Sequence, residues 1–147
     1  MITKVMKVMR ERSASVEETR ALGARLAKIA EPGDVFSLDG NLGSGKTEFV
    51  RGFVEALAAG AGVHSPTFSI VNTYKTPKFP VHHFDFYRLE DPRELASIGF
   101  DEYTSGDGVC LIEWGMMFPG RMPGHAKVIS FTEVEESARV VEAHFMF

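Results

Sequence analysis

A chain of 147 residues, 44% hydrophobic and 24% charged, has the makeup of an ordinary globular domain that can bury a core without disulfides, which excludes a disordered or fibrous chain. A formal charge of −4 argues against a surface that grips a nucleic-acid backbone unaided. The single cysteine, Cys110, cannot close an internal disulfide, MITKVMKVMRER at the start lacks the apolar centre of a signal peptide, and no run reaches membrane-spanning length; one cytoplasmic domain over 1–147, with no membrane contact, is expected.

The first predicted element is an edge strand over 2–8, where ITKVMKV alternates loosely. Ser15, followed three residues later by Glu18, makes a capping box that opens a helix with Leu22, Leu26 and Ile29 on its apolar face, and EPGD at 31–34 ends it. Residues 35–38 read as a short buried strand entering a glycine-rich loop. Residues 46–59 then read as a helix with Phe49, Phe53, Val54 and Leu57 apolar and Gly60 as the stop. Strands are expected over 68–74 and 81–84, and DPRE at 91–94 is a second helix-opening signal. The four apolar residues at 109–112 read as a central strand, and 127–131 with 139–145 as a closing hairpin around the acidic EVEESA. Strands alternating with helices imply an α/β sandwich, and the hairpins imply antiparallel neighbours, hence a mixed sheet.

The loop between the first buried strand and its helix reads Gly40-Asn41-Leu42-Gly43-Ser44-Gly45-Lys46-Thr47. Its flanks are those a phosphate cradle needs, an apolar strand before and a helix starting at the lysine. The glycines let the main chain approach an anion closely. The N–H groups from Leu42 to Thr47 then converge at a helix N-terminus, where the dipole favours negative charge. Lys46 supplies a charge for the β- and γ-phosphates, and the Thr47 hydroxyl is placed for Mg²⁺. Hydrolysis needs an acidic group as well, usually at the end of a neighbouring strand. Two carboxylates qualify: Glu113 directly after the central strand, and Asp85 at the end of VHHFD. One would hold the metal and the other orient or activate the attacking water. The guanine-reading string Asn-Lys-x-Asp and an Asp-x-x-Gly switch are both missing, which favours ATP.

Other signals read as structural. His82 and His83 are strand neighbours and point to opposite faces, so they do not share an ion easily, and no zinc spacing accompanies them. Cys110 lies in an apolar run and reads as an inert core residue. The basic group Lys4, Lys7, Arg10 and Arg12 reads as a solvated face.

Four segments in one order, LDGNLGSGKTEFVRGF, SPTFSIVNTY, HFDFYRL and LIEWG, preceded by SVEETRALGARLA, resemble the TsaE family, small bacterial P-loop ATPases needed for threonylcarbamoyladenosine modification of tRNA. The likeness runs from about 15 to 115 and is fainter around Arg139. It implies a P-loop NTPase-like three-layer α/β sandwich with a mixed β-sheet and a C-terminal β-hairpin. It implies that Asn41, Leu42, Gly43, Ser44, Gly45, Lys46 and Thr47 bind ATP, that Thr47 and Glu113 hold Mg²⁺, and that Thr67 senses the γ-phosphate. Asp85 matches an acidic residue needed for hydrolysis, Trp114 is implicated beside Glu113, and the segment starting at Ser15 lies near the adenine. Glu48 departs from the small residue usual after the Lys-Thr pair and is expected to face solvent. The resemblance further implies an ATPase that resets an assembly containing the TsaD and TsaB proteins, with tRNA touched only indirectly. The alternatives are a small-molecule P-loop kinase, with TPKFP and GMMFPGRMPGHA as candidate lids, and a nucleotide-gated docking module that needs no hydrolysis.

Overall fold

A computed structural model describes residues 6–66, 70–136 and 138–146. Seven strands, β1 (Met6–Ser13), β2 (Val35–Gly40), β3 (Val71–Tyr74), β4 (Val81–Asp85), β5 (Val109–Glu113), β6 (Lys127–Glu135) and β7 (Ala138–Met146), form one sheet in the order β1-β7-β6-β2-β5-β4-β3. The pairings β2–β5, β2–β6 and β4–β5 are parallel, whereas β1–β7, β6–β7 and β3–β4 are antiparallel. The sheet is therefore mixed, with a parallel centre and antiparallel margins, and β6 and β7 form the expected C-terminal hairpin.

β5 shows why the apolar run needs its place. All five of its residues are buried. Val109 and Leu111 join the core on one face of the sheet, while Cys110 and Ile112 join the core on the other. A strand covered on both sides can be continuously apolar. The first core lies beneath α1 (Val16–Ile29) and α2 (Lys46–Leu57), whose Leu22, Leu26, Phe49 and Phe53 pack on Phe36, Leu38 and Leu111. The second lies beneath short turns: a 3₁₀ turn at Phe86–Arg88, α3 (Glu94–Ser97), α4 (Phe100–Thr104), and 3₁₀ turns at Gly115–Met117 and Pro119–Arg121. There Phe84, Phe86 and Phe100 meet edge to face, at centroid distances of 5.3 to 6.1 Å. The result is three layers, one of them built from single turns. Cys110 is a free, buried thiol, and burial pushes its pKa up to about 12, which keeps it protonated and inert.

Several boundaries differ from the sequence reading. The first strand continues to Ser13, paired with β7 as far as Arg139, and the charges of its second half find exposed partners across the sheet: Arg10 meets Glu142 at 3.2 Å in register, and Arg12 meets Glu135 at 3.1 Å. Residues 2–5 lie outside the described residues, as do 67–69 at the start of the strand expected over 68–74. Ile29, expected on the apolar face of α1, is 44% exposed. The buried stripe is Thr19, Leu22, Gly23, Leu26 and Ala27, centred close to the line of Thr19 and Leu26, and Ile29 lies roughly 90° round the helix from that centre at 100° per residue. A Cβ on Gly23 would collide with the Phe49 carbonyl oxygen, and one on Gly52 with the Arg20 carbonyl oxygen. The two helices thus nest backbone to backbone, and that contact sets the rotation of α1, with Leu22 and Leu26 buried and Ile29 beyond the edge of the stripe.

Candidate functional site

β2 runs out at Gly40, the chain turns through 41–45, and α2 begins at Lys46. Gly45 sits in the left-handed region at φ 101°, which permits the turn into the helix and strains any side chain placed there. Among the described residues no side chain caps α2, so the unsatisfied amides of its first turn border an open cleft of about 700 Å³. Those amides and the positive end of the helix dipole make that border attractive to an anion. Lys46 is 4% exposed and turns back on its own loop, its Nζ donating to the carbonyls of Gly40 at 2.5 Å and Asn41 at 2.9 Å. The ammonium also lies 4.2 Å from the centre of the Trp114 ring. Burial lowers the Lys46 pKa, partly countered by the negative charges of Glu113 and Asp85.

Opposite the loop stand the ends of β4 and β5, where Asp85 and Glu113 are register partners. The Thr47 hydroxyl donates to the Glu113 carboxylate, 3.1 Å from Oε1 and 3.0 Å from Oε2, and shares a 3.0 Å hydrogen bond with the Ser65 hydroxyl. Glu113 Oε2 lies 2.6 Å from His83 Nε2. Asp85 accepts from the Tyr87 N–H at 3.0 Å, and burial, then the nearby Glu113 charge, raises its pKa. Immediately after Glu113 the backbone bends sharply: Trp114 has φ 63°, the only positive φ of a non-glycine among the described residues. Such a conformation costs about 1–2 kcal/mol, and here it lays the indole against Tyr87, with ring centres 5.1 Å apart. Strained backbone held by its surroundings is a common mark of functional sites.

The family described as threonylcarbamoyl adenosine biosynthesis protein TsaE matches residues 13–141. The chain belongs to the TsaE family. It is similar to the tRNA threonylcarbamoyladenosine biosynthesis protein TsaE of Bacillus subtilis, 44% identical over 118 residues, which is 80% of this chain and 73% of that protein. The namesake from Rickettsia felis is 41% identical over 99 residues, and that match spans 57% of its length. The fold resembles the crystal structure of Bacillus subtilis YdiB, with a TM-score of 0.78 and 32% identity over 99% of this chain and 90% of that one.

Among the residues that the TsaE resemblance singled out, Leu42, Gly43, Ser44, Gly45, Lys46, Thr47, Asp85, Glu113 and Trp114 all border the one cleft. Asn41 contributes its carbonyl to Lys46 and to the Ser44 N–H rather than bordering the cleft itself. Ser15 caps α1, its hydroxyl accepting from the Glu18 N–H at 3.1 Å, and the residue bordering the cleft is its neighbour Val16. Thr67 lies outside the described residues. Glu48, expected to face solvent, instead turns toward α1, 2.7 Å from Arg20 Nε and 3.4 Å from Arg51 Nε, because the close helix packing brings Arg20 within reach. Arg139 reaches in from β7, its Nη1 3.5 Å from the Gly43 carbonyl. Ser65, His83, Tyr87 and Arg88 also belong to this neighbourhood; the sequence reading gave no role to Ser65, Tyr87 or Arg88 and read His83 as structural. The available signal for His83 was its position two residues before Asp85, hence on the same face of the same strand.

Proposed function

We propose that this chain is a magnesium-dependent ATPase acting in tRNA threonylcarbamoyladenosine biosynthesis, the process its relatives are named for. One observation carries the reading. The loop ammonium of Lys46, the first-turn hydroxyl of Thr47 and the strand-end carboxylate of Glu113 converge on one open cleft at an uncapped helix N-terminus. That set of groups fits a nucleoside triphosphate with its cation. The Thr47 hydroxyl and the Glu113 carboxylate are hard oxygen donors, as magnesium requires, and two protein oxygens suit an ion whose remaining positions go to substrate phosphates and water. An ion held by those two residues would supply positive charge to offset that of the phosphate oxygens.

The chain's own groups supply the rest. The loop amides and Lys46 hold the phosphates, the ammonium exchanging two neutral carbonyls for charged oxygens, which is a stronger hydrogen bond. Asp85 orients the attacking water and accepts its proton, a role suited to a carboxylate whose pKa is raised. Both segments considered as kinase lids are tied to the core. Phe118 and Met122 pack against the second cluster, while Phe79 is 4% exposed and its carbonyl accepts from the Thr76 hydroxyl at 2.6 Å. That favours transfer to water over transfer to an enclosed acceptor. TsaD and TsaB are the proposed partners, with the nucleotide state of the cleft read by their docking.

Isothermal titration with Mg-ATP tests the binding. The wild type is expected to take up one equivalent and Lys46→Ala none. Steady-state phosphate release tests the rest: turnover is expected to rise on adding TsaB and TsaD and to fall at least about a hundredfold in Asp85→Asn, at the low end of what a positioned base contributes. A wild-type protein that binds no Mg-ATP overturns the proposal.

A further inference from the structure

We propose that His83 is the positioning residue of the Glu113 carboxylate, holding it through Nε2–H so that it and the Thr47 hydroxyl present their oxygens together to a divalent cation; this rests on the metal-nucleotide reading above. In the parallel β4–β5 pair, His83 stands opposite Leu111, and Asp85 opposite Glu113. Glu113 is therefore the diagonal neighbour of His83, two residues further along, within reach of a long side chain. The imidazole reaches it at 2.6 Å, with the two side chains 0% and 6% exposed.

The chemistry fixes which nitrogen carries the hydrogen. An ionised carboxylate only accepts, so Nε2 must donate. In the neutral ring that leaves Nδ1 bare, and Nδ1 is buried with no hydrogen-bond partner among the described residues. A leucine or phenylalanine would fill this space without stranding a polar atom, so packing alone does not account for an imidazole here. Its Nε2 donor does. Oε2 of Glu113 is anchored by the ring and Oε1 is left free of it, while the Thr47 hydroxyl lies 3.0 Å from the first and 3.1 Å from the second. Groups that orient a metal-binding side chain in this way typically govern metal affinity by about 10–100-fold.

The test compares wild type, His83→Leu and His83→Gln, the glutamine carrying an N–H at similar reach. Free Mn²⁺ is followed by electron paramagnetic resonance in the presence of ADP, and ADP binding is measured separately in EDTA. Expected are a loss of Mn²⁺ affinity of about tenfold or more in His83→Leu, recovery of most of it in His83→Gln, and unchanged metal-free ADP binding in both. Equal Mn²⁺ affinity in all three proteins, or a glutamine variant as weak as the leucine variant, overturns the assignment. If the leucine variant does not fold, ¹⁵N resonances of the wild-type ring decide: a proton on Nε2, in the neutral or the charged ring, supports the role, and a ring protonated on Nδ1 alone overturns it. A wild type that takes up no Mn²⁺ with ADP brings down the metal-nucleotide reading itself, and this role with it, in an arm that involves no variant.

Discussion

At the scale of single residues, the cleft gathers groups that the fold holds at a cost. Asp85 is the clearest case, because burial and the Glu113 charge both disfavour its ionised form. A carboxyl group whose folded pKa lies above its unfolded value binds its proton more tightly in the native state. The stability this confers is complete below the unfolded pKa and disappears as pH rises through the folded one. Asp85→Asn is isosteric and still accepts from the Tyr87 N–H, but it has no such dependence. In metal-free buffer, the melting temperature of the asparagine variant should exceed that of the wild type at neutral pH, with the gap closing as pH is lowered through the carboxylate range. A constant gap from pH 3 to 7 would contradict this. The sequence displayed Lys46, Thr47, Asp85 and Glu113 because each sits at the end of an element whose type could be read from its pattern. It did not display the link from His83 to Glu113, since that depends on the register between two strands 30 positions apart, which no local pattern encodes. Glu48 was misread for a similar reason: its partner Arg20 belongs to another helix.

The elements themselves were legible where burial on one face or on both left a regular apolar pattern. Both helices, the central strand and the closing hairpin stand where periodicity put them, with ends moved by a few residues. The rotation of α1 could not be read, because it follows from the mutual contact of Gly23 and Gly52 with the opposing backbones. Gly52→Ala should therefore behave unlike an ordinary helix substitution. Alanine favours helix, yet its methyl would meet the Arg20 main chain, which has no rotamer to yield. Chemical denaturation should show a loss of about 2–3 kcal/mol, at the upper part of the overpacking range. Ser15 is informative at the same scale. The hydroxyl accepts from the Glu18 N–H at 3.1 Å, while the Glu18 carboxylate reaches the N–H of Ala14 at 2.6 Å, one residue before the cap. Ser15→Ala should cost about 1 kcal/mol by the same measurement. If this serine also contacts nucleotide, the variant's Mg-ATP affinity should fall as well.

For the molecule as a whole, the parallel centre of the sheet brings the loop after β2 and the ends of β4 and β5 to one edge. Ligands of open α/β sheets characteristically sit at this carboxyl end of the strands. A ligand there bridges the phosphate loop and two further strand ends, so binding should stabilise the entire fold. At a hundredfold excess over its dissociation constant, Mg-ATP should add about 2.7 kcal/mol, and raise the melting temperature by roughly 5–10 °C for a chain of this size. Lys46→Ala should show no shift. The placement of Trp114 has a practical corollary. It is the only tryptophan in the chain, and its ring carries the Lys46 ammonium 4.2 Å from its centre. Intrinsic indole emission from this protein thus comes from a single position beside the cleft, and a cation at that distance perturbs it. Any occupant that draws the ammonium away should change the emission of the unlabelled protein, giving a built-in optical gauge of whether the loop is engaged.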